Sequence, residues 1–503
     1  MFDSDFEKGR YHPLVLPEYN VPLTIDGLRE IFSSCSDFEV REIAFGLEKN
    51  VRLNVCWLDG IVSGGEVSSS VLRPLTQSAR AGSARDEAQA LAAVLCGAVY
   101  SCSVKQCTAM DETVSALTHG HCAVIFDTLQ TALCFEVRSE NTRAISEPTL
   151  EKALKGAKDS FVETLRTNTA LVRRRICTPK LKLIESTVGR KSGTRVAVMF
   201  IDGVAAPETV KELAARLDAL DIDALLGVGI LEEGIVDAPS SPFPQLIHTE
   251  RPDRFSMYLM DGRVGLLVDG IPVGLVLPVT FAEFMKVTGD ANLHYLVSSV
   301  TAAVRYFSLA LSALLPAFYV AIAKYHQEMI PSRLLLSIIE AKQDVPFSTA
   351  LEVIGMLVAF TLLQEAGLRL PNPIGDTVSI IGALIVGQSA VEARVTSPIA
   401  IIVVALSGIA GYTLPSQDMG SAVRLVRFVL VLAAIAAGLF GVAAASCLIV
   451  FWLARMDSFG TSYTAPLSEA SPGSLSRLLL RKPKTQDKYR DPLLKTPDRR
   501  RQK

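Results

Sequence analysis

Between Asp376 and Glu392, the residues Ser379, Gly382, Ala383, Val386, Ser389 and Ala390 recur every three or four positions, which on a helix lays them along one small, mildly polar face. Ile380, Ile381, Leu384 and Ile385 cover much of the remainder. Two chemistries suit such a face. Small residues let helices approach closely in lipid. Alternatively, Asp376 at one end and Gln388 with Glu392 toward the other would form polar rings if several copies surrounded an axis, and acidic rings favour cations. Val386 would then be the pore-lining apolar constriction between two polar zones. A second polar stripe lies upstream, where Ser298, Thr301, Arg305, Ser308 and Ser312 follow at steps of three and four and share one helical face. An arginine inside an apolar helix costs about 3 kcal/mol on insertion scales. Arg305 is therefore expected to face another protomer or water, or to snorkel to the headgroups.

The elements that must carry these faces are membrane helices. Tyr306 to Ala323, Ile399 to Leu414 and Phe428 to Leu453 are long runs with few charges, and about 20 apolar residues span a hydrocarbon core of about 30 Å. The start, Met1 to Asn20, is acidic and has no apolar core, so it does not read as a signal peptide and the N-terminal half is expected in the cytoplasm. From 461 to 503 there are 11 Lys or Arg against 4 Asp or Glu in a proline-broken stretch, a basic disordered tail held inside. Two cytoplasmic ends require an even number of crossings. Four spans are expected, at about 296–323, 376–393, 397–414 and 424–453. The apolar stretch Phe347 to Ala366 is set aside as interfacial because it carries Glu352, Gln364 and Glu365. Residues 324–373 then form an extracytoplasmic or interfacial elbow, which His326 and Glu328 would cap or bridge.

The soluble half holds an internal repeat. Val51 to Leu58 leads into Asp59-Gly60, and Val196 to Ile201 leads into Asp202-Gly203, 143 positions later. Gly120, Val124, Ile125, Phe126, Asp127, Leu129, Ala132, Leu133 and Val137 match Gly262, Leu266, Leu267, Val268, Asp269, Ile271, Gly274, Leu275 and Val279 at an offset of 142. This pattern argues for a duplicated α/β unit, each copy with a strand, turn, helix and later hairpin. Glu151 to Arg175 reads as a helical connector. The expected boundaries are a disordered 1–23, a first cytoplasmic α/β subdomain at 24–150, the connector at 151–178, a second subdomain at 179–290, an α-helical transmembrane domain at 291–460, and the tail at 461–503.

Catalytic and metal signatures are weak. Gly189 to Thr194 lacks the first glycine of a phosphate-binding loop, and its lysine follows an arginine. His119 and His121 lie near Cys122 without a further ligand cluster, and none of the nine cysteines is in a CxxC spacing. Asp59, Asp202, Asp261 and Asp269 suit turns. The expectation is a non-enzyme with no metal or other cofactor, and a formal net charge of -2 offers nothing to nucleic acid.

Several longer strings carry a resemblance. They are FPQLIHTERPDRFSMYLMDGRVGLLVDGIPVGLVLPVTFAEFM, LLPAFYVAIAKYHQEMIPSRLLLSIIEAKQDVPF, LRLPNPIGDTVSIIGALIVGQSAVEARVTSP, the exit SFGTSYTAPLS and the connector EPTLEKALKGAKDSFVETLRTNTALVRRRI. From about Thr24 to Leu467 the chain resembles the A subunit of spore germinant receptors. The resemblance implies a multi-pass protein of the inner membrane of the bacterial endospore, with a carrier-like B subunit and a C lipoprotein as partners. It further implies a homo-oligomer, a pentamer, forming a nutrient-gated cation channel whose opening starts germination. A sporulation-type paralogue or membrane scaffold that amplifies germination without binding nutrient fits the same motifs. A self-contained transporter does not, because the repeat lies in the soluble region.

Overall fold

The structure, a computed structural model, describes residues 19, 21–45, 51–77, 84–99, 103–137, 148, 151, 155–369, 387–468, 479–481 and 483–502. It packs as two units. One comprises 1–235, 248–277 and 488–503, and the other 236–247 and 278–487.

The first unit contains two five-stranded sheets of the same topology. Strands β1 (Phe38–Phe45), β2 (Val51–Leu58), β3 (Val104–Cys107), β4 (His121–Phe126) and β5 (Thr131–Glu136) lie in the order β1-β2-β4-β5-β3. Strands β6 (Leu181–Val188), β7 (Thr194–Ile201), β8 (Ile247–Thr249), β9 (Val264–Val268) and β10 (Gly274–Leu277) repeat it as β6-β7-β9-β10-β8. The register repeats too, since Val40 faces Cys56 and Leu183 faces Met199. In β2, Val55 and Trp57 enter one core with Val67, Val71 and Leu75. Cys56 and Leu58, pointing the other way, enter a second core with Leu28 and Leu117. Both faces of this sheet are therefore covered, by α1 (Ile25–Ile31) and α2 (Met110–Thr118) on one side and by the short helices of 64–77 on the other.

The two copies also begin alike. Asp127 accepts from the backbone N–H of Ile25 at 2.7 Å, at the first residue of α1. Asp269 accepts from that of Leu165 at 3.0 Å, at the first residue of α3 (Leu165–Arg173). Both carboxylates meet the unsatisfied N–H groups and partial positive charge of a helix start. The connector expected at 151–178 is thus corrected. Among its described residues the helical part is α3, the first helix of the second copy. The preceding turn is set by Asn168, whose side chain bonds both the N–H and the C=O of Val162. Such bonds compete with helix formation and end it there. A buried ion pair ties the copies together: Arg173 donates through Nε and Nη2 to both oxygens of Asp37 at 2.7 Å, with both side chains nearly sealed from solvent, and Arg166 of α3 also pairs with Asp59 at 3.0 Å. The second copy continues through α4 (Pro207–Asp218) and α5 (Pro252–Asp261).

The tail also departs from expectation. Within the first unit, Tyr489 and Arg500 form a bridge, Arg490 Nε donates to Met260 O at 2.9 Å, and Arg501 pairs with Asp261. Arg490 thus satisfies one of the last carbonyls of α5, and both arginines lie at a helix end that favours cations. The described residues 488–502 pack with the first unit.

The second unit is helical: α6 (Tyr295–Tyr325), α7 (Ser332–Lys342), α8 (Thr349–Arg369), α9 (Pro398–Tyr412) and α10 (Gln417–Ala454). Of these, α6, α8 over Thr349–Ala366 and α10 are long and apolar enough to cross a membrane. At 38 residues, α10 would reach about 57 Å if straight, nearly twice the hydrocarbon core. It is not straight. Ala437 (φ -139°, ψ 18°) and Gly438 (φ 61°, ψ -140°) are non-helical. A Cβ on Gly441 would stand against Ala433 O, eight residues back, where a straight helix would hold them about 12 Å apart. The chain doubles back into two arms, 417–436 and 439–454. The positive φ at 438 suits glycine, and the carbonyls freed at the bend are met from α6. Lys324 Nζ and Tyr325 OH donate to Ile435 O at 3.0 and 2.7 Å.

Candidate functional site: the polar interior of the helical unit

The expected stripe on α6 turns inward. Ser298, Ser308 and Ser312 are buried within the chain, and Thr301 is half-buried with its hydroxyl bonded to Val297 O and Ser298 O of its own helix. Arg305 does not stand free. Its two terminal nitrogens donate to the two oxygens of Asp290 at 2.6 and 2.8 Å, and Nη1 also donates to Met285 O at 3.1 Å. Bidentate geometry of this kind is a strong charge-assisted contact. Arg305 therefore clasps the segment that leads into α6.

Above it, Ser312 receives a hydrogen bond that no local pattern announced. Arg427 Nη2, from the first arm of α10, donates to Ser312 Oγ at 2.6 Å and more weakly to Ser407 O of α9 at 3.5 Å. Arg427 is 4% exposed, Ser312 and Ser407 not at all. Gly411 makes the approach possible, since a Cβ there would lie 3.1 Å from Ser312 Oγ and 3.3 Å from Arg427 Nη2. The one signal available was a charge inside an apolar run, which by default marks function.

A second buried charge lies near the starts of α8 and α9. Glu352 has a fully buried side chain. Oε2 accepts from Ser397 N at 2.9 Å, and Oε1 is 3.2 Å from Lys342 Nζ. The carboxylate thus sits at the N-terminus of α9, where the helix dipole favours it. Of the three residues that argued for an interfacial Phe347–Ala366, Glu352 is internally paired and supplies no reason to keep α8 out of the bilayer, while Glu365 is exposed. Farther along, Phe360 of α8 packs over Gly408 of α9. With Glu352 beside Ser397 at the other end, α8 and α9 run side by side in the same direction. A cavity of about 480 Å³ opens beside Lys342 and Thr349, walled by Gln327, Leu335 and Ile338.

Of the expected pore-lining residues, Asp376, Ser379, Gly382, Ala383 and Val386 lie outside the described residues. Gln388, Ser389 and Glu392 are described, on a helical stretch at 387–392, and all three are exposed. They are thus available to water or to another chain. His326 packs at the α10 bend, where a Cβ on Gly438 would stand 3.1 Å from its ring.

In the first unit, nothing assembles into a reactive centre among the described residues. No cluster of three or more potential metal ligands occurs there. His119 and His121 bond the carbonyls of Ser115 and Ala116. Burial pushes the Cys56 and Cys122 thiols up, away from the reactive thiolate. Gly189 to Thr194 is the turn between β6 and β7, closed by Gly193 N to Gly189 O.

A sequence model of the family described as "Bacillus/Clostridium GerA spore germination protein" matches residues 26–493. The chain belongs to the GerA family. Similar to this GerA chain are the membrane protein YfkQ of Bacillus subtilis, 34% identical over 92% of this chain and 89% of its own, and spore germination protein KA of the same organism, 33% identical over 94% and 86%. Spore germination protein GerLA of Bacillus cereus is 32% identical over 94% of this chain and 95% of its own. Among solved structures, the N-terminal domain of the A subunit of the Bacillus megaterium germinant receptor GerK3 is 29% identical, covering 50% of this chain and 92% of its own with a TM-score of 0.39. The GerA chain joins an α/β region of two related subdomains to a helical membrane region.

Proposed function

We propose that this GerA protein is the A subunit of a spore germinant receptor, acting as a homo-oligomeric, nutrient-gated cation channel of the spore inner membrane beside a carrier-like B subunit and a C lipoprotein. Family membership across 26–493 carries this reading. It is supported by Gln388, Ser389 and Glu392, which are exposed and so open to water or to another chain. Counting the expected span at 376–393 with α6, α8, α9 and the two arms of α10, the reading has six crossings, an even number that returns the C-terminus to the cytoplasm. Impermeant thiol reagent should then label Met329→Cys from the outer face of intact membranes and spare Leu480→Cys, both positions being exposed.

Conductance of the purified receptor complex in liposomes tests the function. Cation-selective current that appears only with the full complex supports it, and a complex that assembles normally and conducts nothing refutes it. Val386→Ala should raise leak and cause germination without nutrient, because a smaller side chain eases wetting of an apolar constriction.

A further inference from the structure

We propose that Arg427 biases the crossing of α6, α9 and the first arm of α10 toward separation. Its guanidinium is held dry when these helices pack, and it regains water when the arm moves away. This rests on the channel reading only for the use made of the movement. The movement itself follows from the charges. Four other arginines enclosed by the fold have carboxylates, Asp37 for Arg173, Asp253 for Arg251, Glu151 for Arg254 and Asp290 for Arg305. Arg427 has a hydroxyl and a carbonyl, and its Nε is buried with no hydrogen-bond partner. Removing a cation from water without a counter-charge carries a penalty that neutral hydrogen bonds only partly offset. On the Nη2 side the packing is close, a Cβ on Gly411 lying 3.3 Å from that nitrogen. Arg424, one turn earlier on the same arm, adds like charge. It donates to Ser421 Oγ at 2.8 Å and to Gln364 Oε1 at 3.5 Å, neither of them acidic. The packed crossing is consequently the state this arginine destabilises.

A stabilising strut would behave in the opposite sense, which makes the inference testable by sign. Ser407→Cys places a reporter at a fully buried position whose contact with Arg427 is made by the backbone carbonyl and so survives the substitution. The full-length chain in membrane vesicles is exposed to the water-soluble reagent methanethiosulfonate ethylammonium, and modification at 407 is followed by peptide mass spectrometry. No nutrient is added. With Arg427 present, slow labelling reports spontaneous separation. Arg427→Met, similar in length and uncharged, should slow it about tenfold and raise the thermal unfolding midpoint, while Arg427→Lys keeps the faster rate. Equal or faster labelling in Arg427→Met, a lower midpoint, or no labelling of the arginine protein would each overturn the proposal. Since neither nutrient nor conductance enters the measurement, slower labelling in Arg427→Met, found beside a full complex that assembles normally and conducts nothing, would sink the channel reading and leave this inference standing.

Discussion

Cutting the ion pair between Arg173 and Asp37 is a severe test of how the two soluble subdomains hold together. Arg173 sends Nε and Nη2 to Asp37 and Nη1 to Leu181 O at 2.9 Å, and both partners are about 1% exposed. Asp37→Ala removes both carboxylate acceptors and leaves the cation sealed inside. Losing one partner of a buried pair costs about 3 to 5 kcal/mol. For a unit of this size each kcal/mol lowers the melting midpoint by about 2 to 4 °C, so a fall of about 6 to 20 °C is expected. Trp57, buried in the first sheet's core, provides the fluorescence signal in the full-length protein. Replacing both partners with apolar side chains, Asp37→Leu with Arg173→Met, should recover most of the loss, because the desolvation penalty disappears with the charges. A shift below about 4 °C in Asp37→Ala would refute the reasoning, as would a double variant no better than the single one.

Three further outcomes are expected. Asp127→Ala and Asp269→Ala should each destabilise by about 1 kcal/mol or more through loss of a helix-start acceptor, and a chain in which only one of them matters would contradict the equivalence of the two copies. Glu352→Ala should lower the melting midpoint more than Lys342→Ala, because the carboxylate meets both the start of α9 and the lysine; the reverse order in a thermal scan would refute this. Gly438→Val should cost about 1 to 3 kcal/mol, since it forces a β-branched residue to positive φ and sets a Cβ 3.0 Å from the Tyr325 ring, and an unchanged midpoint would mean the bend is not held as described.

The duplicated sheets were legible because period-two burial leaves a local trace and the copies preserved their spacing. Strand order and register then repeat residue for residue. Partnerships across long separations left no such trace. Arg173 reads as the first of three consecutive basic residues, yet its partner lies 136 positions earlier. Arg427 hides for the same reason, its partners arriving from α6 and α9. The four-span expectation takes 424–453 as one crossing, and the bend at Ala437 and Gly438 is what it leaves out. Apolar composition runs unbroken through Gly438, so hydropathy registers one segment where the chain folds into two arms, and composition does not reveal that Glu352 is internally paired. Parity, argued from five segments, then removed α8 to compensate.

The way the two sheets touch bears on what the soluble region cannot become. Just ahead of β1, Ser36 N–H donates to Leu183 O and Ser34 O accepts from Leu183 N–H, so the lead-in to the first sheet docks on the outer edge of the second. This is a head-to-tail contact between repeats, and contacts of that kind continue into rings or filaments unless something ends them. The matching position two residues ahead of β6 is Pro179, which has no N–H to give, and the place of Asp37 is taken by Lys180. The second copy therefore lacks both the donor and the charge with which the first one docks. The series ends at two by chemistry rather than by length, and any ring these chains form must be closed through some other surface.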